Sequence, residues 1–175
     1  MLLNSLILIL TVAGMEIASA LIHRYVMHGF GWFWHRSHHE PHQKRFELND
    51  LYAVVFASLA IVLIALGTGG AWPLQWIGAG MTAYGMLYFI VHDGLVHKRW
   101  PFRYIPRRGY LQRLYQAHRL HHAVKEREHG ISFGFLYAPP TDKLKAELRR
   151  RQLSSVSEDA ARDARAEDRV VARER

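Results

Sequence analysis

Three long apolar stretches are the feature that most limits how this chain can fold. Residues 1–22 read MLLNSLILILTVAGMEIASALI, residues 51–66 read LYAVVFASLAIVLIAL, and a third stretch covers residues 74–91. A helix rises about 1.5 Å per residue, so about twenty apolar residues cross a hydrocarbon core about 30 Å thick. The sequence therefore predicts an all-α integral membrane bundle with three spans, of which the second is somewhat short.

The first apolar stretch contains one ionisable side chain, Glu16, seven residues before His23 and on nearly the same helical face. A secretory signal peptide is the competing interpretation, but no basic residue precedes this stretch and a histidine follows it directly. Ionisable groups inside membrane helices are candidates for functional sites. We therefore expect Glu16 to be a ligand, a partner of a ligand, or a carboxylate hydrogen-bonded inside the bundle.

Histidines are concentrated after the first and third apolar stretches, and their spacing repeats in a fixed order. An H-x4-H pair is followed by an H-x2-H-H triplet, and the same two patterns recur downstream. Neutral imidazole is the commonest metal ligand, and spacing of i, i+3, i+4 places three rings on one helical face. Two repeats of this arrangement predict two metal ions. The ten histidines of these boxes are His23, His28, His35, His38, His39, His92, His97, His118, His121 and His122.

The two H-x4-H pairs need a departure from regular α-helix before they can share a metal. On an ideal α-helix, residues i and i+5 lie about 140° apart, so one such pair alone says little. Both pairs, however, lie where an apolar stretch ends. A helix end or a π-bulge there would bring the two rings together, because i→i+5 hydrogen bonds widen the turn.

Composition limits the chemistry of such a site. The chain has no cysteine, which excludes zinc-thiolate sites, iron-sulfur clusters and thiolate-ligated haem, so a metal must rest on nitrogen and oxygen ligands. The formal net charge is +8. Since the apolar residues occur in blocks long enough to span a membrane, the excess of basic residues favours binding to a membrane surface. Nucleic acid is not an expected partner.

The basic residues also predict the topology of the bundle. Arg24, Arg36, Lys44 and Arg45 follow the first span, and all other basic residues lie at or after Lys98. With three spans, both basic segments fall on one side of the membrane, and the positive-inside rule makes that side cytoplasmic. The twelve histidines lie on the same side. We therefore expect a cytoplasmic, histidine-rich cap that holds two metals.

Several polar residues near the boxes are candidates for additional ligands or for partners of the imidazole N–H groups. Asp93 is favoured because it lies inside the second H-x4-H pair, and His42 and His129 lie just outside the boxes. Four further acids are weaker candidates, each more typical of a surface carboxylate: Glu40, Glu47, Asp50 and Glu126. Asn49 or Asp50 is also predicted to cap the second span.

Three other segments complete the predicted architecture. The third span carries small residues that would allow close helix packing or leave room for a slender ligand, namely Gly78, Gly80, Ala83 and Gly85. Residues 131–140 are apolar but too short to span, so a fourth, re-entrant or interfacial segment is an alternative there. We expect residues 1–145 to form the membrane domain, and residues 146–175 to be a charged tail, either flexible or a solvated helix.

The order of the four boxes, with FELNDLYAVVFA after the first two and HGISFGFLYAPP after the last, closely resembles the bacterial β-carotene 3-hydroxylases. These belong to the membrane-bound fatty acid hydroxylase and sterol desaturase superfamily. The resemblance covers roughly residues 1–145. It implies a di-iron, non-haem monooxygenase of the bacterial inner membrane, which uses O2 and electrons from ferredoxin and its reductase to hydroxylate a carotenoid. It also implies that the ten box histidines are the iron ligands.

Other functions are compatible with parts of this pattern. A fatty acid or sterol hydroxylase or desaturase would use a similar site on another lipid. A membrane metal transporter would place ligands near the middle of its spans, and a bis-histidine haem protein would pair histidines across two helices within the membrane. Histidine boxes at the ends of spans favour the hydroxylase.

Overall fold

In this computed structural model, residues 1–40, 46–101, 104–128 and 130–173 are described, with side chains described up to residue 157. All regular structure in these ranges is helical, as the sequence predicted. His42 and His129 lie outside the described residues. The described helices are α1 (Leu2–Ile22), a first π-helix (His23–Phe30), α2 (Trp32–His39), α3 (Asp50–Thr68), α4 (Leu74–Tyr88), a second π-helix (Phe89–Val96), α5 (Gly109–His121) and α6 (Thr141–Arg173).

Three helical segments among the described residues are long and apolar enough to cross a membrane. They are Leu2–Phe30, Asp50–Thr68 and Leu74–Val96, and the first and third each join an α-helix to the π-helix that follows it. None of the residues of α1 is buried inside the protein. Such outward-facing apolar surface suits contact with lipid, so the prediction of a three-span helical bundle is confirmed.

Small residues on α4 let the three spans approach closely. A Cβ atom at Gly78 would lie 2.7 Å from the carbonyl oxygen of Ala60 on α3, and one at Gly80 would lie 2.6 Å from Cβ of Thr11 on α1. Neither position has room for a side chain. In contrast, nothing lies within 4 Å of a Cβ atom built at Gly85. The third span thus combines close packing at two glycines with open space at a third.

A cluster of buried apolar residues lies beside the histidines. It joins α5, α6 and residues 131–138, and its buried members are Leu114, Ala117, Ile131, Ala138, Leu144 and Leu148. Helix α6 runs without a break through the predicted domain boundary at residue 145. Because Leu148 lies beyond that boundary yet in this core, the start of the charged tail is part of the folded structure.

Residues 131–140 form an irregular segment rather than a fourth span. The segment packs against α1, where the Glu16 carboxylate accepts hydrogen bonds from the backbone N–H groups of Phe135, Leu136 and Tyr137 at 2.9–3.1 Å. The Tyr84 hydroxyl also donates to Glu16, at 2.8 Å. Glu16 is therefore a carboxylate hydrogen-bonded inside the bundle, and it fixes this segment to the first and third spans.

Candidate metal centre

Two π-helices bring the H-x4-H pairs together. In the first, the N–H of Gly31 donates to the carbonyl of Val26 at 2.8 Å, and at the end of the second, the N–H of His97 donates to the carbonyl of His92 at 2.9 Å. Both are i→i+5 bonds, which widen the turn and move residues five apart toward one face. The π-bulge was one of the two geometries that the sequence predicted for these pairs.

The ring nitrogens of nine box histidines converge in two groups. Within each group, one ligand atom per residue lies within 4.8 Å of every other. We call these sets group A and group B. Group A contains His23, His28, His35, His39 and His121. Group B contains His38, His92, His97 and His118.

Each H-x2-H-H triplet contributes to both groups. On α2, His35 and His39 belong to group A, whereas His38 belongs to group B. On α5, His121 belongs to group A and His118 to group B. The tenth box histidine, His122, adjoins both sets. Its Nε2 lies 2.9 Å from Nε2 of His118, and its ring stacks on that of His39 with centroids 4.5 Å apart.

The Nδ1 atoms of group A all face neutral acceptors, to which they donate. His23 and His121 donate to the carbonyl oxygens of Phe133 and Ile131 at 2.9 and 2.8 Å. His35 donates to Oδ1 of Asn49 at 2.7 Å. The remaining two Nδ1 atoms donate to carbonyl oxygens at 2.9–3.0 Å, His28 to Arg127 and His39 to Val124.

Two rings of group B donate instead to carboxylates. Nδ1 of His38 lies 2.8 Å from Oε1 of Glu47, and Nδ1 of His92 lies 2.7 Å from Oδ1 of Asp93. A hydrogen bond at Nδ1 fixes both the tautomer and the orientation of an imidazole, so that its Nε2 lone pair is free to bind a metal.

The spacing of the Nε2 atoms tests whether metals fit these groups. Nε2 of His23 lies 3.0 Å from that of His35, and Nε2 of His38 lies 2.9 Å from that of His92. Because the protons are on Nδ1, the lone pairs of the two Nε2 atoms in each contact face each other and repel. A cation between them would relieve this repulsion. Two nitrogen ligands at right angles around an ion about 2.1 Å away lie about 3.0 Å apart. The donor set fits a metal ion in each group.

Burial keeps the cap histidines neutral. Loss of hydration, reinforced by neighbouring rings, lowers the pKa of His35 to about 3 and that of His39 to about 4. The same causes lower the pKa of His122 to about 2 and hold the pKa values of His118 and His121 well below the usual 6.5. Since metals bind the neutral imidazole, these rings need not lose a proton at pH 7 to act as ligands.

Four side chains form an ion-pair cluster behind group B. Arg99 donates through Nη2 to Glu47 at 2.8 Å, and through Nη1 to Asp50 at 2.8 Å and to Asp93 at 3.4 Å. Glu47 and Asp93 are the same carboxylates that accept from the imidazoles of His38 and His92. The cluster therefore links Glu47 and Asp93, which are far apart in the sequence, behind two rings of group B.

The sequence analysis missed two of the residues that surround the site. Arg99 lies in a basic segment with nothing to single it out, and Asn49 was expected only as a helix cap. Asn49 occupies the N-cap position of α3, but its side chain makes no capping hydrogen bond and instead accepts from His35. Conversely, Glu40 pairs with the exposed Arg36, and Glu126 is exposed.

An apolar cavity of about 480 Å³ lies between α1, α3 and α4. Most of its lining is aliphatic or aromatic, including Met81 and Phe56, and one end reaches Tyr88, Asp93 and Phe135. At that end the Tyr88 ring stacks on the ring of His92, with centroids 4.4 Å apart. The cavity thus leads from the membrane spans to group B.

Two groups of largely buried imidazoles, near the ends of helices long enough to span a membrane, fit a metal-dependent membrane protein. The chain belongs to the fatty acid hydroxylase family, whose model matches residues 8–144. This membership and the histidine groups fit a metal-dependent hydroxylase.

The names of individual relatives give a narrower activity than the description of the family does. The chain is 68% identical over 161 residues to a beta-carotene hydroxylase of Pantoea ananas, covering 92% of this chain and 91% of that one. It is 65% identical over 163 residues to a beta-carotene hydroxylase of Pseudescherichia vulneris, covering 93% of each chain. It is 42% identical over 130 residues to beta-carotene 3-hydroxylase 1, chloroplastic, of Arabidopsis thaliana, covering 72% of this chain and 41% of that one. No solved structure matches the chain. These relatives confirm the resemblance found in the sequence.

Proposed function

We propose that this protein is a β-carotene 3-hydroxylase, which hydroxylates C3 of each β-ionone ring and converts β-carotene through β-cryptoxanthin to zeaxanthin. The observation that carries the proposal is the apolar cavity between the spans, which is lined by Tyr88 and Asp93, the two side chains in contact with His92 of group B. The names of the bacterial and plant relatives support the substrate. A purely structural histidine cluster would need no apolar channel leading to it.

We assign two non-haem iron ions to the site, one held by group A and one by group B with His122 beside it. Bound iron would supply the reduction of O2. Each hydroxylation consumes one O2, two electrons and two protons; one oxygen atom enters the C3–H bond and the other leaves as water. The chain has no cysteine for a cluster and no nucleotide-binding motif, so the electrons come from another protein, for which we propose ferredoxin with its reductase.

The residues of the chain position the substrate and keep water away. The cavity volume of about 480 Å³ lies within the usual range of about 300–1,000 Å³ for small-molecule sites. Most of its lining suits a hydrocarbon ring, and its polar lining residues include Asn49, Tyr88 and Asp93, which contact His35 or His92. We propose that one β-ionone ring enters at a time, while the rest of the polyene lies between the spans and in the lipid.

We place the protein in the bacterial inner membrane with the metal site on the cytoplasmic side, following the charge distribution. Reporter proteins fused after Glu40 and after Pro140 should be cytoplasmic, and one fused after Gly69 should be periplasmic. Placement of the first two reporters on opposite sides would contradict a single site built from both halves of the chain.

The direct test is expression in cells that accumulate β-carotene, followed by identification of the pigments. We expect zeaxanthin with β-cryptoxanthin as intermediate. The purified chain should contain about two irons and show no haem absorption band. If the cells instead contain hydroxylated or desaturated fatty acids or sterols and unchanged β-carotene, this proposal is wrong. The protein would then be a lipid hydroxylase or desaturase of the same superfamily.

A further inference from the structure

The two histidine groups differ in the charge of the groups that hold their rings. All five rings of group A donate to neutral oxygens, four from backbone carbonyls and one from Asn49. In group B, His38 and His92 donate to the carboxylates of Glu47 and Asp93. An imidazole that donates to a carboxylate is a more basic ligand than one that donates to a carbonyl.

The carboxylates behind group B belong to an ion-pair cluster. Those of Glu47, Asp50 and Asp93 all bind the guanidinium of Arg99. The Glu47 side chain is 3% exposed and that of Asp93 is 12% exposed, so water screens these charges little. A cation held by His38 and His92 would therefore have a buried carboxylate directly behind each of these two ligands.

Charged side chains also lie near group A, but none of those described here accepts a hydrogen bond from its rings. Nε of Arg127 donates to the carbonyl of His28 at 3.0 Å, and Nη1 of Arg151 donates to the carbonyl of Gly130 at 2.6 Å. Arg24 lies over the ring of Phe133, 5.7 Å from its centroid. Two carboxylates of the described residues lie on this side, and neither accepts from an imidazole. Glu16 accepts from backbone N–H groups and from the Tyr84 hydroxyl, and Glu147 pairs with Arg151 at 2.7 Å.

We propose that the two metal positions are inequivalent, and that Glu47 and Asp93, held in place by Arg99, make group B the tighter-binding position. The inference rests on the proposed two-metal site and assigns its two halves different affinities. The number of histidine rings in each group does not reverse this order of affinity. Group A has five rings, but His122 lies 2.9 Å from His118 and brings group B to the same number.

The test uses the full-length purified chain loaded with ferrous iron and mixed with an excess of a chromophoric iron chelator. We expect the iron to leave in two phases of equal amplitude, whose rates differ by about 10-fold or more. The variant Asp93→Asn removes the charge behind His92 while keeping the shape of the side chain. It should accelerate the slow phase by about 10- to 100-fold and leave the fast phase unchanged.

The reciprocal variant Asn49→Asp places a carboxylate behind His35 in group A, where Asn49 already accepts at 2.7 Å. It should slow the fast phase by about 10-fold or more. Structural damage would not slow the release of iron, so slower release would be due to the added carboxylate. This variant therefore tests the inference even if Asp93→Asn fails to accumulate in the membrane.

Three results would overturn the inference: release of wild-type iron in one phase, acceleration of the fast phase alone by Asp93→Asn, or no slowing by Asn49→Asp. If the wild-type protein holds about two irons and forms zeaxanthin while its iron leaves in one phase, only the inequivalence is lost. If it holds no iron, the proposed function itself fails.

Discussion

Nε2 of His28 and Nε2 of His121 lie 3.2 Å apart, although 93 positions separate the two residues in the chain. His28 ends the first H-x4-H pair, in a π-helix at the end of the first span, whereas His121 ends α5. Their contact joins the first and last histidine boxes into group A. Group A therefore depends on residues from both the first span and α5.

His121→Ala should abolish hydroxylation, because it removes a fully buried ring (0% exposed) from group A. The loss opens a coordination position and weakens the metal held there. We expect about one iron per chain in place of two, and zeaxanthin formation at background. Iron content and zeaxanthin per amount of membrane protein measure the two effects.

The matched control for this substitution is Arg119→Ala, an exposed residue on the same helix. It should keep both irons and most of the activity. Near-normal activity of His121→Ala would instead show that the last triplet does not hold a metal.

Glu16→Gln should lower iron content and activity by about 10- to 100-fold, the range for partners that orient metal ligands. The carboxylate accepts three backbone N–H groups of the segment whose carbonyls orient His23 and His121. An amide would present its own N–H groups to these donors, which costs about 1–3 kcal/mol per unsatisfied group.

Glu40→Gln is the control for Glu16→Gln, because the contact of Glu40 among the described residues is an exposed ion pair with Arg36. Protease sensitivity near residue 136 should rise in Glu16→Gln and not in the control. Equal iron content in the two variants would show that Glu16 does not help to position His23 and His121.

Gly85→Phe should reduce hydroxylation of β-carotene at least about 10-fold while iron content stays near two per chain. Gly85 lines the apolar cavity, and its Cβ position is open. A large ring there competes with the substrate for apolar space without touching a histidine, whereas Gly85→Ala fits and should keep most activity. Unchanged zeaxanthin formation by Gly85→Phe would place the substrate elsewhere.

A chain that ends after Arg151 should retain most of its activity, whereas one that ends after Pro140 should lose it. The longer chain keeps Leu144 and Leu148 in the core, and it keeps the hydrogen bond from Arg151 to the carbonyl of Gly130. The shorter one exposes Ile131, whose carbonyl orients His121. Zeaxanthin formed per amount of membrane-inserted chain compares the two truncations.

Part of the metal centre could be predicted from local spacing. The apolar stretches predicted the spans, and the histidine boxes with an absence of cysteine predicted nitrogen ligands for two metals. The spacing of His23 and His28 predicted either a helix end or a π-bulge, because no regular α-helix turns both rings to one side, and the structure has a π-helix there. These features are local, since each depends on residues within about one or two helical turns.

The sequence by itself determined the helical membrane architecture and the type of ligand, because hydrophobic length and residue spacing are properties of short segments. The tertiary structure alone decided how each triplet divides between groups A and B, and which partner holds each ring. Asn49 accepts from His35, and Arg99 joins Glu47 to Asp93, through contacts that cross between separate helices and loops. Packing fixes such contacts, and spacing along one segment does not encode them.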